Sequence, residues 1–504
     1  MNRNRLAFYR SVLVSTLLLS STGLQGKSIE DKNWFLVQTD HFEIYSTLGK
    51  KKSIDLGHHL ELFKRAVEIQ TNIKDTQSVI PTRIFAFRGA GDYYDFGFPT
   101  NSAGVFIPGI RENTIVLRDV RGMSEAAIIM HEYVHFLVRN NSKFHYPKWY
   151  DEGFAEYLSG AGIKRKKFEI GAVQEVRLKD LAYSVWVPMA EVLSPEDYDE
   201  WSDRKQSAFY AEAWALVHYL IHASDRRASF ARDMQTYLHE IESGTDSLAA
   251  FEKAFVIEAD DLNGKIKSYL RKGKFEYFWI EAKQLIPDFQ PVVSEIPRAK
   301  ISLALGQLAL RRYKLEQAER LFRIAAEDEQ LRAKATAGLG DVRKFSADFD
   351  NALPYFQEAI ELAPDDPYVQ LDMAEYWHDL AHGEEDADSR AAHLDKAREY
   401  YVAAWKLDDQ KPEIYAMYGQ TFLMDGDRYD KAVEMLEGAH LLLPSHLGIR
   451  IDLADAYAGL GRNADAAEFA TTVLAWSHGE SAIATRARNL LEKLATDPDQ
   501  ANVE

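Results

Sequence analysis

Two histidines one helical turn apart, with a glutamate beside the first, form the segment His131-Glu132-Tyr133-Val134-His135. On a helix, residues i and i+4 share a face, so both imidazoles can reach one divalent cation. The neighbouring residues predict that helix: Ser124 is a candidate cap, and Ala126, Ala127, Ile128, Ile129, Phe136, Leu137 and Val138 supply its apolar side. A catalytic zinc takes three protein ligands and keeps a fourth position open for water. The candidate third ligand lies on the next segment, Pro147 to Leu158, which reads as a second helix opened by Pro147 and closed near Gly160. Sixteen residues separate His135 from Glu152, and Glu156 follows one turn later on the same face. One glutamate can bind a metal while the other accepts a hydrogen bond from a ligating histidine. The 504 residues contain no cysteine, so thiolate sites, disulfides, a cysteine nucleophile and a lipid-modified N-terminal cysteine are all excluded.

These residues carry a resemblance. HEYVH followed by WYDEGFAEY is similar to the gluzincin metallopeptidases, whose HExxH precedes a helix bearing NEGFA or a near variant. Within them it most resembles the bacterial peptidase-MA-like proteins, several of which join such a domain to tetratricopeptide repeats. The resemblance implies an α+β thermolysin-like metallopeptidase domain holding one Zn²⁺ per chain through His131, His135 and Glu152. It makes Glu132 the general base and Glu156 the carboxylate that supports His131. The stretch Phe209 to Leu220 also resembles peptidase-MA-like sequences, and related aminopeptidases start such a helix with a tyrosine that hydrogen-bonds the oxyanion. Tyr210 is the corresponding residue, and a phenol can donate to developing negative charge while uncharged. Its alternative is a packed aromatic beside Trp214 and Tyr219, and His218 on the same helix reads as structural. Asp151 departs from the usual Asn, the spacing to Glu152 is shorter than in the aminopeptidase branch, and no GAMEN-like motif is present. Aminopeptidase specificity is therefore not implied.

The elements that must position these groups follow from the flanking pattern. His41 to Tyr45 alternates like a half-buried strand, Lys52 to Asn72 has helical spacing, and Pro81 to Phe87 reads as a strand. Ala103–Pro108 and Thr114–Leu117 predict a hairpin about Pro108-Gly109. Ala103 to Ile107 is either an edge strand that could align an extended peptide or a core strand. Helical patterns dominate from Ser124, so an α+β domain is expected over 27–275, with a Pro-punctuated linker at 276–297. The adjacent pair His58-His59 points to different faces, and the basic run from Lys164 to Lys167 reads as a solvated loop.

Beyond Pro297 the sequence repeats with itself. Leu305-Gly306 returns 34 residues later as Leu339-Gly340, followed in both units by alanine (Ala318, Ala352), phenylalanine (Phe322, Phe356) and alanine (Ala325, Ala359). That period and those small and aromatic positions resemble the tetratricopeptide repeat (TPR). Ala397, Tyr401 and Ala404 extend the pattern across an insertion carrying His378, His382 and His393, which reads as a solvated loop, with weak metal binding as its alternative. Gly419, Ala432, Leu436 and Ala439 mark a fourth unit, and Ala454, Tyr457 and Ala466 a fifth. An all-α TPR solenoid of about five units plus a capping helix is expected over 298–504.

At the other end, Arg3, Arg5 and Arg10 precede the apolar run Val12–Leu19 and the small residues Ser20 to Gly23. This is the pattern of a secretory signal peptide over 1–26, against an uncleaved anchor or a buried strand. Export to a bacterial periplasm or outside the cell is expected. No later stretch approaches the ~20 apolar residues a membrane span needs. With 60 Lys+Arg against 78 Asp+Glu, a net charge of −18, nucleic acid is not an expected partner.

The functional expectation is an exported zinc-dependent metallopeptidase acting on peptide or protein substrates, its TPR groove recruiting substrate or a partner protein. The alternative is a TPR interaction scaffold with an inactive or weakly active zinc domain. Recruitment by the repeats predicts that a chain lacking 298–504 keeps its activity on small peptides.

Overall fold

The computed structural model describes residues 27–73, 78–100, 102–118, 127–142, 146–196, 198–426, 428–477 and 481–496. The expected signal peptide and the candidate cap Ser124 lie outside the described residues.

The N-terminal region is α+β. Strands β1 (Phe35–Gln38) and β2 (Phe42–Ser46) lead into helix α1 (Lys50–Thr71), then β3 (Thr82–Phe87), the short α2 (Ala90–Asp95) and the pair β4 (Gly104–Ile107) and β5 (Asn113–Arg118). Helices α3 (Ala127–Asn141) and α4 (Lys148–Ser159) carry the HExxH segment and its sequel. After the β6 (Gly162–Lys164) and β7 (Lys167–Ile170) hairpin come α5 (Glu175–Tyr183), α6 (Met189–Leu193), α7 (Asp203–His222), α8 (Phe230–Glu242), α9 (Ser247–Phe255) and α10 (Ala259–Arg271). The chain then forms β8 (Phe278–Glu281), α11 (Ala282–Leu285) and β9 (Val292–Glu295).

A six-stranded sheet has the order β4-β5-β3-β2-β1-β9, parallel across β5-β3-β2 and antiparallel elsewhere. Ile44, Ile84 and Ile115 stand in register on one face. That face packs on Leu60, Phe63 and Val67 of α1 and on Ile129, Met130 and Val134 of α3. The other face, with Trp34, Leu36, Tyr45, Phe85, Phe87 and Val116, is just as apolar, as expected of strands buried on both sides.

The second face is covered by the C-terminal region. Five helical pairs follow Pro297: α12 (Arg298–Arg311) with α13 (Leu315–Ala325), α14 (Arg332–Phe345) with α15 (Phe349–Leu362), α16 (Pro367–His382) with α17 (Ala387–Leu407), α18 (Pro412–Asp425) with α19 (Tyr429–Leu442), and α20 (Leu447–Gly459) with α21 (Asn463–Trp476). A final helix, α22 (Ala482–Ala495), packs on α21. The small residues of the repeat do what their size suggests. A Cβ on Gly306 would lie 2.8 Å from the ring of Phe322, and one on Gly340 would lie 2.9 Å from Phe356. Ile301, Leu305 and Leu308 of α12, Phe322 of α13 and Leu339 of α14 pack with the strand residues in one core.

Two sequence expectations are corrected by the structure. The stretch 276–297 is not a bare connector. β8 completes a small sheet with β6 and β7, and β9 pairs antiparallel with β1, Phe35 opposite Glu295. Pro291 and Pro297 flank β9 rather than interrupt it, so the ladder loses no N–H, and β9 is an edge strand, where such prolines are tolerated. The His- and acid-rich insertion is largely helix: α17 is lengthened to 21 residues, capped by the Asp386 side chain accepting from the Ser389 N–H. The basic run at 164–167 is solvent-exposed, as expected, and takes the form of a tight β6-β7 turn with Arg165 and Lys166 at positive φ.

Candidate metal centre

Helix α4 is buried from Trp149 to Ser159, yet it carries Asp151, Glu152 and Glu156. Buried carboxylates need partners, and these three find them on α3 and α5. Helix α4 also lies close against α7. A Cβ on Gly153 would stand 2.5 Å from the carbonyl oxygen of Ala213, so only glycine permits the crossing that brings Tyr210 toward Glu152.

At the centre, His131 Nε2 lies 3.1 Å from Glu152 Oε2 and 3.1 Å from His135 Nε2. His135 Nε2 is 3.3 Å from the same carboxylate oxygen. The three donor atoms therefore form a nearly equilateral triangle. Ligand pairs of a tetrahedral zinc are separated by roughly 3.3–3.6 Å, close to these distances, so two imidazoles and a carboxylate so placed could hold such an ion. Among the described residues this is the one group of three such side chains whose donor atoms all lie within 4.8 Å of one another.

Each histidine is braced from behind. His135 Nδ1 is 3.2 Å from Asp151 Oδ1, and Arg139 binds the other oxygen of that carboxylate through Nη2 at 2.5 Å. His131 Nδ1 faces Glu156 Oε1 at 3.3 Å, an ion-pair distance in a geometry too oblique for a full hydrogen bond. Arg177 Nε of α5 donates to Glu156 Oε2 at 2.8 Å. The arrangement is thus two relays, arginine to carboxylate to imidazole, converging on one triangle.

The electrostatics of the cluster favour positive charge at its centre. Burial alone would depress His131, but Glu152 and Glu156 outweigh it and raise its pKa to about 10. His135 is also raised, with burial and Arg139 opposing Asp151 and Glu152. Burial would raise Glu152, yet the two histidines hold it well below the usual carboxylate range. Asp151 and Glu156 are lowered against burial in the same way, by Arg139 with His135 and by His131 with Arg177. With both imidazoles neutral, the form a metal ligand requires, the four carboxylates, counting Glu132, outnumber the two arginines by two charges, matching a divalent cation.

Tyr210 stands with this group. Its ring centroid is 6.2 Å from that of His131, and burial followed by the charge of Glu152, with a smaller part from Glu132, pushes its phenol far up, so it remains a donor. Glu132 lies between His131 and Tyr133 on α3, half-buried. The edge strand β4 runs beside the same helix, Phe106 lying 6.4 Å from Tyr133 and 6.2 Å from Phe136.

Five of the six residues singled out in the sequence are brought together, His131, His135, Glu152, Glu156 and Tyr210, and Glu132 adjoins His131 on α3 with its charge felt at Tyr210. Three other described histidines lie in surroundings of their own. His218 is sealed between Gly171 O at 2.9 Å and Tyr269 OH at 2.8 Å. His59 is buried against Phe168, and burial pulls its pKa down to about 4. His378 bonds Tyr401 OH at 3.0 Å within the repeats. Asp151, Arg139 and Arg177 were not foreseen as site residues. Arg139 had a signal, standing one turn after His135, and Asp151 had one in being a charge on a buried helix. Arg177 had none, since only the packing of α5 brings it near.

Comparisons with known proteins agree with the repeats. Two tetratricopeptide repeat families match residues 333–366 and 423–488, and a family described as "Protein of unknown function (DUF1570)" matches residues 125–239. Among curated proteins none is significantly similar to this chain. Similar solved structures include a thermophilic TPR protein of Thermus thermophilus, 20% identical, covering 38% of this chain and 99% of its own, with a TM-score of 0.34. Residues 41 to the end of MamA from Desulfovibrio magneticus RS-1 are 19% identical, covering 35% of this chain and 93% of their own at a TM-score of 0.28. PilF of Pseudomonas aeruginosa is 14% identical, covering 40% of this chain and 91% of its own at a TM-score of 0.32. The C-terminal region is therefore built of tetratricopeptide repeats, which indicate protein-interaction scaffolding.

Proposed function

We propose that this TPR protein carries, in its α+β region, a zinc-dependent peptidase of the gluzincin type, exported to a bacterial periplasm or beyond. The observation that carries the proposal is the triangle of His131 Nε2, His135 Nε2 and Glu152 Oε2, each imidazole braced by a buried carboxylate. These three residues would hold the ion. Bound zinc supplies Lewis acidity, lowering the pKa of water and polarising a carbonyl. Glu132 then accepts the proton of the attacking water and returns it to the departing amine. Tyr210, kept protonated by burial and by Glu152, donates to the oxygen that gains negative charge. Among the described residues β4 ends the strand order, beside α3, where an extended peptide can align by strand addition.

The second reading is a scaffold whose metal domain is silent. It is favoured by the repeat matches, which point to partner binding, while the family matching 125–239 has no assigned activity. One experiment separates the two. Full-length protein and Glu132→Gln are assayed for zinc per chain and for hydrolysis of an unbiased peptide library. Near-stoichiometric zinc in both, with cleavage by the wild type alone, is expected. Zinc in both with cleavage by neither favours the scaffold, and absence of zinc from both ends the metal reading.

A further inference from the structure

The helix bearing both histidines ends against the last two repeats. The guanidinium of Arg139, the group that holds Asp151, lies over the ring of Trp476 at 5.1 Å. Arg450 of α20 covers the same ring at 4.4 Å and is itself fixed by Nε donating to Pro444 O at 2.7 Å. Trp476 is only 6% exposed. The next residue of α3 makes a two-way bond to the α19-α20 turn: Asn140 Nδ2 donates to Ser445 Oγ at 2.6 Å, and Ser445 N donates to Asn140 Oδ1 at 3.0 Å. Leu443 and Ile449 of that turn share one core with Phe136.

Resting on the metal-site reading above, we propose that repeats four and five form a positioning element of that site, acting through Trp476, Arg139 and Asp151 on His135. A stacked guanidinium has its plane fixed, and with it the direction of its N–H donors. Those donors set the Asp151 carboxylate, whose other oxygen receives the His135 Nδ1–H. That bond selects the tautomer leaving Nε2 as the ligand and fixes the ring angle. Other bridges between the two regions, such as Arg83 to Gln307 or Arg311 to Glu112, end on groups that touch no ligand. This one ends two bonds from the triangle. A protein partner that displaced α21 would change metal affinity, and metal occupancy would reciprocally change the partner's affinity.

The test uses full-length wild type, Trp476→Ala, Trp476→Phe, Arg139→Lys and the control Leu441→Ala, whose side chain is 81% exposed on the fourth repeat. Zinc affinity is measured by competition with a chromophoric chelator, the Co²⁺ form by its visible absorption, and folding by thermal melting. Trp476→Ala and Arg139→Lys are expected to weaken zinc binding about 10–100-fold and to alter the Co²⁺ band, with Trp476→Phe between them and wild type. Leu441→Ala is expected to change neither. Wild-type affinity and spectrum in a folded Trp476→Ala would overturn the proposal. If that variant does not fold, the same result in both Trp476→Phe and Arg139→Lys overturns it. A wild type that binds neither metal defeats the metal-site reading itself, an outcome distinct from intact binding without coupling.

Discussion

Arg111 Nε donates to Glu413 Oε2 at 2.7 Å, joining the β4-β5 turn to the fourth repeat across 302 residues of sequence. The same guanidinium meets Asp372 at 3.0 Å and Glu375 at 3.2 Å on α16, while Lys344 of α14 lies 3.0 Å from Asp379. The face presented by α14, α16 and α18 at this point is thus already occupied by the chain's own N-terminal region. A recruited partner must use other surfaces of the repeats or displace this turn.

Replacing Arg111 by Ala leaves Glu413, Asp372 and Glu375 buried without their main counter-charge. Burial, with the neighbouring carboxylates, already raises Glu413 and Asp341 to about 7, against the pull of Arg111 and Lys344. Because these folded-state values exceed the ordinary ones, the stability they contribute is full below pH ~4 and is lost as pH rises through 7. Arg111→Ala is expected to cost on the order of 2–4 kcal/mol at pH 8, and less near pH 5.5 where protons replace the lost cation. Urea denaturation at the two pH values checks this; equal losses would contradict it.

Removal of residues 298–504 should not give an active fragment, contrary to the expectation from separate domains. It uncovers Trp34, Leu36, Tyr45, Phe85, Phe87 and Val116. At ~1.5–3 kcal/mol per large apolar side chain, the lost burial is on the order of 10 kcal/mol, comparable with the whole stability of a domain. A chain ending at 297 is expected in the insoluble fraction, and a soluble monomeric fragment with cooperative melting would refute this.

Tyr210→Phe removes one hydroxyl and no packing volume. A fall in kcat of about 10²–10³ is expected, with zinc affinity unchanged, since Tyr210 is not among the three converging donors. Steady-state kinetics beside a zinc titration decide it. Unchanged kcat would reduce Tyr210 to a packed aromatic.

Gly153→Ala tests the crossing of α4 and α7. The added methyl meets the Ala213 carbonyl at 2.5 Å and Val217 at 2.9 Å, both on a helix buried along most of its length. A loss of about 1–3 kcal/mol is expected from overpacking. Activity should fall further than stability, because α7 carries Tyr210 away from α4. Thermal melting and kcat on the same preparation measure both.

The two histidines were legible in the sequence because helical geometry fixes where i and i+4 point, and spacing marked Glu152 and Glu156 as alternatives on α4; that Glu152 completes the group was implied only by the family resemblance. The braces were half legible. Arg139 obeys the same one-turn rule, but nothing local says that Asp151 will face His135 rather than water. Strand β9 was hidden by its flanking prolines, and α17 by acidic residues that serve at its first turn. The apolar runs of β3 and β5 marked them as strands, and only the structure shows them covered on both faces. What would cover the second face was not readable, since the residues of α12 that do so are also the ordinary apolar positions of a repeat.

That covering sets a timetable for synthesis. Phe35 of β1 pairs with Glu295 of β9, and the strands' second face closes only when α12 to α14 have emerged. At about 5–20 residues per second, the nascent chain holds an open sheet edge and an uncovered apolar face for on the order of tens of seconds. Over that interval the uncovered face is an aggregation hazard that the finished fold no longer carries.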